Sequence, residues 1–509
     1  MNKSFLTVAT WLAVAVALAG LTVCAVAQPI DPKNPPEGRF SDEWAEIYLG
    51  GGKVGFAHSS FTRRGDRIQT ELRFRMVLGR ADQPVKIDLR QESVETLAGV
   101  PISFASETDM SVMKSTTRGT IANGRVKIVT SQFGMEQTQE FDFPTGALMT
   151  WGTFREGLLR GFKPGTEYSF PIYAPELRLD GAVTSRTIIG DWEEFSHRGQ
   201  SIRGQRVVVT LESPVGSMEM VSWVNADGLP LKAKLPMPGM GDMLLITTDQ
   251  ATALSDFVPP EFFMTSVIKA GRKIDRASAK RIRYRIRAKN DKTKLSDLPD
   301  TGAQRVLVKK DGSVELVVSR QPHAVIPNRR HVDPTGDFSE YLGSNLMINT
   351  ADPKLIELAK RAARGEKEAF ALADNLRRFV TDYVATKSLN IGFATASEVA
   401  RTREGDCSEH GLLLAALGRI SGLPSRVVVG LAYVSSFGGR EDIFGYHLWT
   451  QFYIDGRWVD FDAALGESDC SPIRIAFAVS SLKNSGLADL SLPLLSKIGA
   501  IDIDILEIE

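Results

Sequence analysis

Cysteine is scarce in this chain: three residues in 509. A disulfide-built scaffold is therefore excluded, and each thiol has to be read on its own chemistry. Net charge is also missing, since 61 Lys and Arg balance 61 Asp and Glu. Nothing in bulk charge draws the protein to nucleic acid or to an anionic membrane surface; such binding would need a local basic patch. The nearest one, Lys269 to Lys294, contains Arg281-Ile282-Arg283-Tyr284-Arg285-Ile286-Arg287, whose alternation predicts an exposed strand with a charged face. No nucleic-acid partner is expected. Internal repeats and low-complexity tracts are absent too, which excludes solenoids and disordered arrays. What remains is an ordinary soluble composition, 43% hydrophobic and 24% charged, in a chain long enough for two or three domains with cores of their own.

The first 27 residues predict a signal peptide. Lys3 supplies a positive start, no charge follows from Ser4 to Ala27, and Ala25-Val26-Ala27 is a small-residue cleavage pattern. The expected location is periplasmic or elsewhere in the cell envelope. Membrane contact arises only if this run, about twenty residues long, stays uncleaved as an anchor. Leu21-Thr22-Val23-Cys24 is a poor lipid-attachment pattern because of Val23. Cleavage leaves Cys407 and Cys470, and one possible bridge in so long a chain favours free thiols over a disulfide.

Residues 28–262 read as a β-rich envelope domain, a large antiparallel sheet. Alternating runs such as 71–78, 85–89, 206–211 and 218–223 are separated by turn signals at Gly50-Gly51-Gly52, Asn123-Gly124 and Asp227-Gly228. Only Thr153 to Gly161 reads as a helix, and His58 and His197 are isolated. Pro259-Pro260 marks a boundary. Residues 263–335 form a small β unit and connectors, with a hairpin about Asp311-Gly312 and a stretch punctuated by Pro322, Pro327 and Pro334. From 336 to 509 the pattern turns mixed. Apolar residues at helical spacing run from Asp352 to Thr386, as two helices or one broken at Gly365, and a short helix covers Thr395 to Ala400. The segment 426–434 reads as a buried strand and 500–508 as a closing one.

Asp406, followed three residues later by Glu409 and then by an apolar run, is a capping-box signature that puts Cys407 in the first turn of a helix. Helix starts stabilise anions, so a thiolate is favoured there. Ser421-Gly422-Leu423-Pro424 ends the helix. Downstream, Asp455-Gly456 is a two-residue hairpin turn between 446–454 and 457–462. Pairing Ile454 with Arg457 sets Trp449 opposite Asp462. Asp462 then shares a face with His447 on the diagonal, about 7 Å away at Cβ and within side-chain reach. Asp460 sits opposite Gln451, four positions from His447 at about 3.3 Å each, and is too far. Cys407, His447 and Asp462 thus carry the parts of a cysteine acyl-transfer site: nucleophile, base and orienting carboxylate, with the Cys407 N–H as one oxyanion donor. His410 competes as base from one turn along the same helix, but it would leave the hairpin pair unexplained. A metal site from Asp406, His410 and Asp442 lacks a second His or Cys at ligand spacing. No metal or organic cofactor is expected.

Gly405-Asp406-Cys407, Gly422-Leu423-Pro424-Ser425-Arg426 with Gly430, His447-Leu448-Trp449, and Trp458 four residues before Asp462 resemble the transglutaminase-like superfamily over roughly Ala351 to Leu465. Ala463 stands where the family usually has Pro, and Leu423 where it usually has Ile. The resemblance implies a papain-like core, helices packed on an antiparallel sheet, which with the preceding antiparallel β-rich domains read from the pattern makes an α+β chain. It further implies cysteine-dependent acyl transfer on a protein or peptide substrate. Hydrolysis is the first expectation, transamidation the second, and an inactive binding or assembly protein the alternative from another class.

Overall fold

The computed structural model describes residues 30–79, 84–110, 113–132, 135–213, 216–237, 241–261, 267–289, 293, 295–309, 311–321, 337–345, 347–387, 394–437, 439–483, 497 and 499–509. The expected signal segment with Cys24, the residues on either side of position 262/263, and Pro322, Pro327 and Pro334 lie outside them. Among the described residues no helix is long and apolar enough to cross a membrane. The chain forms two compact units that divide between 262 and 263.

In the N-terminal unit the alternating runs assemble into one antiparallel sheet of fourteen strands among the described residues. Eight strands from Gly38–Leu49 to Met135–Asp142 meander in chain order, and six from Glu167–Ile172 to Gly241–Thr248 do the same. The two meanders join where Gly38–Leu49 pairs with Gly241–Thr248. The expected helix is Thr150–Arg160, and it packs Trp151 and Phe154 against Phe40, Phe61, Ile68 and Leu229. Its N-cap, Met149, offers no side-chain acceptor. A fully buried carboxylate from a neighbouring strand takes that role: Glu95 accepts the Trp151 and Gly152 N–H groups at 2.7 and 2.8 Å. Two of the orphan donors at a helix start are satisfied this way.

The C-terminal unit holds two larger sheets. In the first, Arg281–Ala288 buries Ile282, Tyr284 and Ile286 and turns its arginines outward, as the alternation requires. The closing strand, Ile501–Ile508, pairs with it antiparallel. Arg283 meets Glu507, Arg287 meets Asp504 and Lys289 meets Asp502, so the basic patch is a neutralised ladder. Exposed pairs of this kind add little each; the buried Ile and Tyr side chains hold the strand. The strand pairing joins the chain end to the small β unit, a non-local match that hydrophobic period alone does not reveal.

The second sheet carries the site. Its strands run in the order Ile268–Lys269, Arg440–Ile454, Ser425–Phe437, Arg474–Ser480, and Arg457–Phe461 also pairs with Arg440–Ile454. Against it lies the helix Cys407–Ile420, buried all round from Cys407 to Arg419 and apolar from Leu412 to Leu417. Glycine permits the close approach: a Cβ on Gly411 would stand 2.2 Å from Leu448 Cδ2 and one on Gly418 2.1 Å from Phe452 Cε1. Thr450 Oγ1 donates across the gap to the Gly411 carbonyl at 2.8 Å. Pro353–Ala363, Ala369–Tyr383 and Ala396–Thr402 cover the other side of the helix. The Asp352–Thr386 pattern therefore resolves into two helices, separated after Arg364 in a left-handed conformation at φ 52°. The helix ends at Ser421 with Gly422 at φ 82°.

Candidate active site

The capping box forms as read. Asp406 Oδ1 accepts the Ser408 N–H at 2.9 Å, and Glu409 Oε2 accepts the Asp406 N–H at 2.9 Å. Cys407 is thereby the first helical residue, 6% exposed. Glu409 is fully buried, and its other oxygen accepts the Ala394 N–H at 3.1 Å. Burial and the adjoining Asp406 carboxyl push its pKa well above the usual range, which disfavours a second anion beside the thiol.

The hairpin also has the expected register. Asp455 and Gly456 take φ 51° and 79°, and Ile454 pairs with Arg457, Gln451 with Asp460 and Thr450 with Phe461. Asp462 follows one residue beyond the strand. His447 Nε2 lies 2.6 Å from Asp462 Oδ2, and the His447 ring also hydrogen-bonds the Cys407 thiol. With Nε2 on the carboxylate, Nδ1 is left for sulfur. Asp460 goes elsewhere: its Oδ1 accepts Trp449 Nε1 at 3.0 Å and Gln451 Nε2 at 2.6 Å. Trp449 stacks on His447, centroids 6.1 Å apart and planes 17° from parallel. The structure thus brings Cys407, His447 and Asp462 together and sets Asp460 aside. His410 Nδ1 is engaged by the Asp406 carbonyl of its own helix at 2.6 Å.

Two residues at the site escaped the sequence reading. Arg474, 3% exposed, donates to Asp462 Oδ2 through Nε at 2.9 Å and Nη2 at 2.7 Å, and to Glu467 Oε2 through Nη1 at 2.8 Å. Glu467 in turn exchanges both backbone hydrogen bonds with Asp462 at 2.8 Å. The available signal was a lone arginine inside the apolar run Ile473-Arg474-Ile475-Ala476-Phe477, since an arginine is rarely buried without a partner.

The electrostatics follow from these contacts. Burial opposes ionisation of Asp462, but the charges of His447 and Arg474 outweigh it and hold the carboxyl far below the usual range. Burial disfavours the imidazolium of His447. The charge and hydrogen bond of Asp462, with the hydrogen bond to Cys407, overcome that and raise its pKa. At Cys407 burial and Asp406 oppose the thiolate, while His447 favours it. Cys470 differs. It is buried beside the acids Asp460, Asp462 and Glu467, its pKa is pushed well above the usual thiol range, and neither it nor Cys407 is in a disulfide. Among the described residues no group of three or more His, Cys, Asp or Glu side chains is placed to hold a metal ion.

A buried thiol at a helix start, facing a histidine that an antiparallel sheet holds against a carboxylate, defines a papain-like α+β core. Residues 356–463 match the family model of the transglutaminase-like superfamily, and this part of the chain is a transglutaminase-like domain. No curated protein matches the chain. Among solved structures, a protein of Cytophaga hutchinsonii provisionally described as a cysteine protease is 14% identical, over 45% of this chain and 86% of its own, with a TM-score of 0.27. A second, from Parabacteroides distasonis and provisionally described as a protease, is 12% identical over 70% of this chain and 64% of its own, with a TM-score of 0.17. Likeness this slight says nothing about substrate.

Proposed function

We propose that the transglutaminase-like domain performs cysteine-dependent acyl transfer on amide bonds, hydrolysing a peptide or related amide, in a protein exported to the cell envelope by residues 1–27. One observation carries the reading: an unbroken hydrogen-bond line runs from the Cys407 thiol through His447 to an ionised Asp462. In this scheme His447 takes the thiol proton and the thiolate attacks the carbonyl carbon. The C–N bond then breaks as the imidazolium protonates the leaving amine. Water, giving its proton to His447, releases the acid and restores the thiol. Asp462 holds Nε2–H and stabilises the imidazolium without itself being protonated. No cofactor enters any step.

Incubation of the purified protein with a protein substrate and a labelled primary amine tests the outcome. New termini without label support hydrolysis, and incorporated label makes the enzyme a transamidase. Cys407→Ala should abolish either product while leaving the circular dichroism spectrum unchanged; turnover retained in that variant would end the mechanism. A thiol probe that labels Cys407 no faster than Cys470 would favour a non-catalytic assembly protein.

A further inference from the structure

The carboxylate opposite His447 does not stand alone, and its second partner is not the usual neutral hydrogen-bond donor. A single oxygen, Asp462 Oδ2, receives His447 Nε2 at 2.6 Å and two nitrogens of Arg474 at 2.7 and 2.9 Å. Asp462 Oδ1 takes only the Leu465 N–H, at 2.9 Å. Imidazole and guanidinium therefore compete for one anionic atom inside a fully buried pair. Beyond Arg474 stands Glu467, whose carboxylate also accepts the Ser471 N–H at 2.9 Å. Charges alternate along the line: thiolate, imidazolium, Asp462, Arg474, Glu467.

We propose that Arg474, seated by Glu467, is a positioning residue that fixes Asp462 at the strand end and limits the basicity the carboxylate confers on His447. Arg474 and Glu467 act through Asp462 and touch no reacting atom. The physical need is plain from the burial. A histidine closed in with an unshared carboxylate would hold its proton too tightly to pass it on, whereas a general base works best with a pKa near the working pH. A second cation on the same oxygen offsets part of that pull. Position matters equally, because Asp462 lies past the last hairpin pair, Thr450 with Phe461, and has no cross-strand partner in that hairpin. The Asp462–Glu467 backbone pair and the Arg474 fork replace it. Arg474 also falls outside the matched span 356–463.

Other charged groups face this line from each packed element. Asp406 and Glu409 lie at the start of the Cys407 helix, Asp460 on the adjoining strand and Cys470 on the loop before Arg474; Arg276 pairs with Glu467 Oε1 at 3.1 Å, and Tyr284 feels the Arg474 charge. Asp460 and Cys470 themselves feel Arg474, and Cys470 feels Glu467, so the opposed shifts of the two substitutions and their cancellation in the double variant carry the test.

The inference rests on the Cys407–His447–Asp462 reading, and the test separates the two. The rate at which iodoacetamide alkylates Cys407 in the full chain is measured against pH, with Cys470 resolved by peptide mass spectrometry. Arg474→Met removes a cation and should move the midpoint up by about one pH unit. Glu467→Gln removes an anion and should move it down; the double variant should return it towards wild type, and Arg474→Lys should keep it. A role confined to holding the loop predicts lower rates or lower stability with no such opposed shifts. If Arg474→Met does not fold, Glu467→Gln, which keeps its shape, decides. His447→Ala supplies the separate control. If it leaves the profile unchanged, the acyl-transfer reading fails. If it removes the low-pH reactivity while Arg474→Met and Glu467→Gln leave the midpoint in place, only the present proposal is overturned.

Discussion

Replacing Asp462 by asparagine changes one atom, and the contacts around it set the consequence. Every group that touches Asp462 is a donor: Leu465 N–H on Oδ1, and His447 and Arg474 on Oδ2. The new NH2 must face one set. Turned to Leu465, it forfeits a single neutral hydrogen bond, at about 1–3 kcal/mol. Turned to Oδ2's partners, it opposes a buried guanidinium and the imidazole at once, a much larger cost. The amide oxygen therefore stays on His447, and its tautomer is preserved. What is lost is the negative charge, which as an opposite charge at contact distance is worth roughly 1–3 pKa units to the imidazolium. Burial then prevails and His447 drops below its ordinary value. The Cys407 thiolate should become about a hundredfold scarcer near neutral pH, read as the alkylation rate of Cys407 at pH 7. Asp460→Asn is the matched control, since its oxygen can still accept from Trp449 and Gln451, and it should keep the rate within about threefold. An Asp462→Asn protein that folds and alkylates at the wild-type rate would refute the assignment of the carboxylate, as would an equal loss in Asp460→Asn.

Two further predictions concern stability. Burial pushes the Glu95 carboxyl up to about 7, against the hydrogen bonds of Trp151, Gly152 and Ser93. The native state therefore holds a proton that the unfolded chain releases near pH 4.5. This raised carboxyl contributes most below that value, and its contribution is lost as pH rises towards 7, by about 3 kcal/mol in total. Thermal melts of the full chain between pH 5 and 8 should show this slope in wild type and a flatter one in Glu95→Gln; equal slopes would remove Glu95 as its source. Gly430 pairs with His447, and a Cβ there would stand 1.8 Å from the Ile475 carbonyl. Gly430→Ala should cost at least about 3 kcal/mol in urea unfolding of the C-terminal unit and slow Cys407 alkylation; a loss below about 1 kcal/mol would mean the strands can part there.

The legible parts of this protein share a property: each is encoded within a few residues. The capping box spans Asp406 to Glu409, and a two-residue turn sets the hairpin register from Thr450 to Phe461. Such features are decided by local backbone chemistry before any tertiary contact forms. The alternation of Arg281 to Arg287 was legible for the same reason. Its pairing with Ile501–Ile508 was not, since more than two hundred residues separate the strands and many alternating segments would fit its period equally. In the N-terminal unit the alternating runs 71–78, 85–89, 206–211 and 218–223 and the all-antiparallel class were legible, whereas the joining of the first strand to the last was not.

The same distinction explains the site. Asp462 could be preferred over Asp460 because one turn fixes the register: both acids lie on the face of His447, but Asp460 sits opposite Gln451, four positions along the strand and too far to reach the ring. The register brings the carboxylate within reach of His447 but cannot hold it, since the regular pairing stops at Phe461. Arg474 holds it from another strand, across a loop whose conformation no short-range rule determines. A buried arginine is nonetheless a strong constraint once seen: left unpaired it would cost several kcal/mol, so its presence in an apolar strand implies at least one buried acid nearby. Arg474 has two, Asp462 and Glu467. The local reading of the site was therefore incomplete at Arg474 and Glu467, whose contacts with Asp462 come from a strand and a loop beyond the hairpin.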